Sequence, residues 1–215
     1  MDGLAKTIED CRNLRLKVYG TDPDQVHRDV NVVSETLKDH IGRWPFELIQ
    51  NCDDAEAAAV LIKVTKDAVY VADRGHGLGP EAIKSLSGTH LSEKPIGAIG
   101  RKGLGFKAVY EITCTPAVFT GDDDGVFFCP VRARDELIKL DGELNGALRI
   151  SADSRVPHEW LPFWVSRREA AQTDATLSEL QDWRTVVKLP LKSGADFVKA
   201  TAGLRELPSH FLLTL

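Results

Sequence analysis

Within Phe46–Ala55 (FELIQNCDDA), Glu47, Asn51 and Asp54 have types and spacing that could do chemistry. Offsets of four and three residues place all three on one helix face. Leu48, Ile49, Cys52 and Ala55 are apolar enough to bury the opposite stripe. A helix with that polar front could hold a divalent metal and a general base beside a phosphate. The same residues also suit an ordinary amphipathic helix with a solvated face, so the choice rests on the rest of the chain.

Two glycine-rich stretches bear on it. Ala68–Ala72 (AVYVA) reads as a buried strand and runs into Asp73-Arg74-Gly75-His76-Gly77-Leu78-Gly79. Glycines at alternate positions permit positive φ or close approach of a ligand. A carboxylate at the strand end could accept a hydrogen bond from a ligand amine; the other reading is a turn before a Pro80–Leu86 helix. Gly100-Arg101-Lys102-Gly103-Leu104-Gly105-Phe106-Lys107 then leads into a helix. Free backbone N–H groups there, with Lys102 and Lys107 nearby, would suit phosphate. The spacing is neither a Walker A loop nor a Rossmann fingerprint. Ser85–Ile99, between the two stretches, is polar and rich in small residues, and has the length of an active-site lid.

The positioning elements follow from periodicity. A helix starts at Thr21-Asp22-Pro23-Asp24 and runs to about residue 40, burying Val26, Val30, Val33 and Leu37. Gly42 ends it, and Trp44-Pro45 opens the Glu47 helix. Val60–Thr65 reads as a strand, and Thr113–Thr120 and Gly125–Val131 as a strand pair whose acidic tip, Asp122–Asp124, is solvated. Asp135–Asn145 reads as a charged loop, Leu148–Ser151 as a strand, and Val156–Val165 as an aromatic packing segment. Ala170–Asp182 is a loop or short helix, Thr185–Leu191 a strand, and Ala195–Leu207 a helix with Phe197, Val198, Leu204 and Leu207 inward. The apolar, abrupt His210–Leu215 is what a domain cut from a longer chain would show.

With 215 residues, 43% hydrophobic and 27% charged, the chain fits one large globular domain. A net charge of −5 argues against a general nucleic-acid or anionic-membrane surface. Four cysteines without CxxC spacing make zinc or a disulfide scaffold a poor fit and point to reduced thiols in the cytosol. Nothing resembles a secretory leader or a membrane span, and no GxSxG or His-paired nucleophile is present.

Taken in order, the Glu47/Asn51/Asp54 helix, Asp73-x-Gly75-x-Gly77, Gly100-x-x-Gly103-x-Gly105 and a Thr185-led strand resemble the GHKL superfamily of ATPases, which includes gyrase, the ninety-kilodalton heat-shock chaperone, histidine kinases and MutL. The likeness covers about residues 28 to 191. RWPFELIQNCDDA, SEKPIGAIGRKGLGFKAVYEIT, LPFWV, TVVKLPL and LRELPSHFLLTL extend it to the sacsin and NO VEIN type of ATP-binding domain.

The resemblance implies an α+β, two-layer α/β sandwich (the Bergerat fold), with a mixed, mostly antiparallel sheet, helices packed on one face and an ATP lid. Residues 1–215 would be one ATP-binding domain of a longer multidomain protein, with residues 1–40 a helical extension and 85–105 the lid. ATP and Mg²⁺ are the implied cofactors.

Glu47 would be the general base, Asn51 the Mg²⁺ ligand, and Asp54 a support for the nucleotide through water or ribose. Asp73 would accept the adenine amino hydrogen, with Gly75 and Gly77 letting the base lie against backbone. Gly100, Lys102, Gly103, Leu104 and Gly105 would wrap the phosphates, with Phe106 packing beneath them and Lys94 reaching them from the lid. Thr185 would bind adenine through water, although Arg184 precedes it where Gly is common. Arg101 is the one nearby candidate for the extra cation of phosphoryl transfer, which in the relatives comes from another domain. Slow hydrolysis driving rearrangement of a chaperone-like or defence-type protein is therefore expected. Further domains, partner subunits or a homodimer formed through other regions would complete it. Direct nucleic-acid and membrane contact are not expected, and a MutL-like role is disfavoured by the acidic balance. The alternative is a nucleotide-binding switch without significant hydrolysis.

Overall fold

A computed structural model describes residues 3–39, 41–88 and 105–205. At its centre Ala68–Asp73 (β2) is buried along its whole length, as a strand covered on both faces requires. Around it runs a six-stranded sheet in the order β1-β2-β6-β3-β4-β5, with β1 Val60–Val64, β3 Ala117–Thr120, β4 Asp124–Phe128, β5 Pro162–Trp164 and β6 Thr185–Pro190. All five pairings are antiparallel. With the helices, this is the expected α+β, two-layer α/β sandwich.

Alternation sorts the two faces. Val69 and Val71 of β2, Val118 of β3 and Leu189 of β6 face the main core, with Leu48 and Cys52 of α3 (Trp44–Asp54) and Leu4, Ile8 and Cys11 of α1 (Gly3–Thr21). Ala68, Tyr70, Ala72, Phe119 and Val186 point the other way, onto Leu177 and Leu180. Leu177 belongs to α7 (Ala175–Glu179), which follows α6 (Arg167–Thr173). Each of these short helices is capped locally: Ser166 Oγ accepts from Glu169 N at 3.0 Å and Asp174 Oδ1 from Leu177 N at 3.0 Å. Helix α2 (Gln25–Asp39) buries Val26 and Val33 as expected, and α4 (Pro80–Leu86) follows the first glycine stretch.

Several expectations need correction. Asp135–Asn145 belongs mostly to a helix, α5 (Pro130–Glu143), that buries Ala133 and Leu137 behind Pro130 in its first turn. Leu148–Ser151 is not a strand: the Asp141 carboxylate takes the N–H groups of Leu148 and Ile150, at 2.7 and 3.2 Å. The aromatic Val156–Val165 supplies both the short 3-10 helix η2 (His158–Trp160) and edge strand β5. The acidic hairpin tip is partly engaged, because Asp123 accepts from Ser166 Oγ at 2.5 Å and Asp124 from Trp164 Nε1 at 3.0 Å. In α8 (Gly194–Arg205) the buried residues are Asp196 and Ala200, whereas Val198 is exposed. Leu207 and His210–Leu215 lie outside the described residues.

Candidate active site

Helix α3 is the axis of the site. Pro45 starts it, and Leu48, Ile49 and Cys52 are buried, which turns Asn51 and Asp54 to the exposed side and leaves Glu47 half-buried. Seven residues separate Glu47 from Asp54, about 10 Å along the axis, so the helix can serve two ends of an extended ligand.

At its N-terminal end Glu47 meets Gly105, the first residue of η1 (Gly105–Glu111), a 3-10 helix. A Cβ on Gly105 would fall far inside 3.0 Å of Glu47 Oε2. Phe106 is buried in the core behind this contact. Lys107 is not the phosphate ligand that its position suggested. Its side chain is fully buried and donates to the carbonyl of Leu86 at 2.7 Å. Lys94, Gly100, Arg101, Lys102, Gly103 and Leu104 lie outside the described residues, as does most of the 85–105 stretch.

At the other end, the Asp73–Gly79 loop is stitched to the end of α3 and the segment after it. Arg74 N donates to Ala59 O at 3.1 Å and His76 N to Ala55 O at 3.0 Å. Gly75 lies so close to the Ala55 carbonyl that no Cβ fits there. Gly77 has φ +84°, where glycine is favoured, and a Cβ would come within 2.8 Å of Thr120 Oγ1 and 2.9 Å of Arg184 Nε.

Asp73, Thr185 and Thr120 stand in one register row across β2, β6 and β3, on the sheet face that packs against α3. All three are buried. Asp73 Oδ1 accepts from Gly75 N at 2.8 Å, and Thr185 stands opposite it in the sheet register. Burial pushes the Asp73 carboxyl above its usual range, against the opposing pull of Gly75 N–H, Thr185 and His76. Thr120 Oγ1 accepts from Leu78 N at 2.9 Å, holding the glycine loop to the sheet.

The chain's own donor set for Mg²⁺ is sparse. Among the described residues no group of three or more His, Cys, Asp or Glu side chains could hold a metal ion. Asn51 offers a single exposed amide, which suits a hard cation that keeps phosphates and waters as its other ligands. A cation held at Asn51 would have to draw its other ligands from outside the described residues.

Thr120 and Arg184 join the site only through the fold. Thr120 carries a faint signal, a strand-terminal Thr before Gly121, but its place beside Thr185 depends on sheet register. Arg184 stood out only as a departure from the resemblance. Its side chain lies across Gly77, and its backbone is fixed by N–H donation to Asp73 O at 3.0 Å.

No family model matches the chain. It is similar to human sacsin, 29% identical over 121 aligned residues that cover 42% of this chain and 2% of that protein. It is also similar to HgiDII of Herpetosiphon aurantiacus, whose name assigns it to the type II restriction enzymes. There the identity is 27% over 110 residues, covering 44% of this chain and 17% of the relative. The matches thus span small parts of both relatives. Among the described residues no helix is long and apolar enough to cross a membrane.

Proposed function

We propose that this chain is a nucleotide-binding domain that binds ATP with Mg²⁺ and hydrolyses it slowly. The observation that carries the reading is the convergence on α3 of groups far apart in sequence: Gly105 against Glu47 at one end, and the Asp73–Gly77 loop against Ala55 at the other. The similarity to sacsin supports a chaperone-like setting inside a larger polypeptide of the GHKL type. The similarity to HgiDII supports a second setting, an ATP module within a DNA-processing protein. Further domains or subunits would then supply the client and any additional cation.

In this reading Asp73 accepts the amino hydrogen of adenine, its orientation held by Gly75 N–H. The base lies against the Gly77 backbone, beside the Arg184 side chain that crosses it. Asn51 would hold Mg²⁺, which supplies charge neutralisation on the phosphates when bound. Glu47, set against Gly105, orients a water and takes its proton. Phosphoryl transfer asks for little beyond this positioning and charge stabilisation.

Calorimetric titration with ATP and Mg²⁺, paired with a phosphate-release assay, tests the proposal. Wild-type protein should bind ATP and turn it over slowly. Glu47→Ala should keep affinity and lose turnover, whereas Asp73→Asn should lose affinity. Binding without turnover in wild-type protein would leave the nucleotide switch instead, and absence of binding would overturn both readings.

A further inference from the structure

Away from the exposed face of α3, buried charge concentrates beneath the end of α4. The Lys107 ammonium donates to the carbonyls of Leu86 and Glu159 and lies over the rings of Trp160, at 4.6 Å, and Phe128, at 5.1 Å. Arg15 of α1 reaches the same place from the other side. Its guanidinium donates to Ser87 O at 3.4 Å and Gly88 O at 3.2 Å, and lies 5.2 Å from the Trp160 ring centroid. Asp29 of α2 holds Arg15 at 3.1 Å and also takes the Tyr19 hydroxyl at 2.7 Å and the Gln25 amide at 2.8 Å. Gly88, at φ +67°, packs on Trp160 with no room for a Cβ.

Two cations thus satisfy the carbonyls of Leu86, Ser87 and Gly88, at a helix end where backbone acceptors lack intrahelical partners and positive charge is favoured. Burying two cations is costly, and apolar side chains of similar volume commonly pack more cheaply. What the charges add is a fixed geometry between two elements. Lys107 is two residues from Gly105, and Gly105 is the wall against which the Glu47 carboxylate rests.

We propose that Lys107 and Arg15 are positioning residues for Glu47: Lys107 fastens the first turn of η1 to the end of α4, Arg15 braces that same helix end from α1, and together they set Gly105 against the carboxylate. This rests on the reading of Glu47 as the base. It brings α1 into the working of the site through Arg15.

The test uses the full chain with Lys107→Met, Arg15→Met and Arg15→Lys. Carbon-13 NMR of the Glu47 carboxyl and the amide shift of Gly105 are followed through a pH titration, which needs no nucleotide. In wild-type protein the Gly105 amide should follow the Glu47 titration. Lys107→Met and Arg15→Met should uncouple the two, and Arg15→Lys should restore the coupling. In the turnover assay the uncoupled variants should lose kcat roughly ten-fold or more with KM unchanged. Coupling that persists in both methionine variants overturns the proposal, as does lost coupling with undiminished kcat. If Lys107→Met does not fold, the Arg15 pair decides. If wild-type protein turns over no ATP, the function proposed above fails, while the NMR coupling still decides the positioning.

Discussion

Gly105 lies against the carboxylate of Glu47 with no space for even one methyl group between them. The obstructed atom is the far end of a flexible side chain, so an added methyl would turn Glu47 aside and leave the backbone in place. Gly105→Ala is therefore expected to melt within a few degrees of wild-type protein. Its turnover should fall, at most by the roughly 10²- to 10⁴-fold that a general base contributes. A phosphate-release assay beside a thermal melt checks this, and full activity in the variant would detach Gly105 from the base.

Asp73 links stability and binding with opposite signs. Because burial raises its carboxyl pKa, the folded chain keeps that proton to a higher pH than the unfolded chain does. Its contribution to stability therefore falls as pH rises from the ordinary carboxyl value through the raised one. Asp73→Asn removes that cost and should melt at or above the wild-type temperature at pH 7, while ATP affinity drops at least ten-fold. Calorimetry measures both, and a clearly lower melting temperature would contradict the burial account.

Lys107 gives a pH dependence of the other sign. Burial lowers its pKa to about 7, with Glu159 and Asp29 favouring the charged form and Arg15 opposing it; the charge of Lys107 in turn helps lower His158. Between about 7 and the ordinary lysine value near 10.5 the unfolded chain binds more protons than the folded one. Stability from this group therefore rises with pH across that window. The melting temperature of wild-type protein should climb relative to Lys107→Met between pH 7 and 9, and a constant difference would refute the assignment.

Arg184 lies across Gly77, at the end of the site read as holding the base. A guanidinium there can stack on a π-face, an interaction of about 0.5–2 kcal/mol. Arg184→Ala should weaken ATP binding by roughly 2- to 30-fold and leave kcat unchanged. Tighter binding in the variant would instead make Arg184 an obstruction.

The positions of these groups along the chain are legible in the residue order alone. Glu47, Asn51 and Asp54 share a face because helical spacing is local, and Asp73 ends a strand because β2 is apolar up to that residue. Helix α5 is hard to read from sequence because its apolar stripe is narrow and its charges dominate composition, although Ala133 and Leu137 stand one turn apart behind Pro130. Strand β5 is equally hidden, because three residues between prolines and aromatics carry no period, and only pairing with β4 makes them a strand.

The sequence by itself determined which residue types face one another along a single element, since the 3.6- and 2-residue periods are set by backbone geometry alone. It also determined that two glycine stretches follow the Glu47 helix. Tertiary structure decided what those residues meet. It laid Thr120 beside Thr185 and Asp73 through sheet register, brought Gly105 onto Glu47, and turned Lys107 from an apparent phosphate ligand into a buried tie between α4 and η1. These are contacts across long chain separations, governed by which faces the core buries.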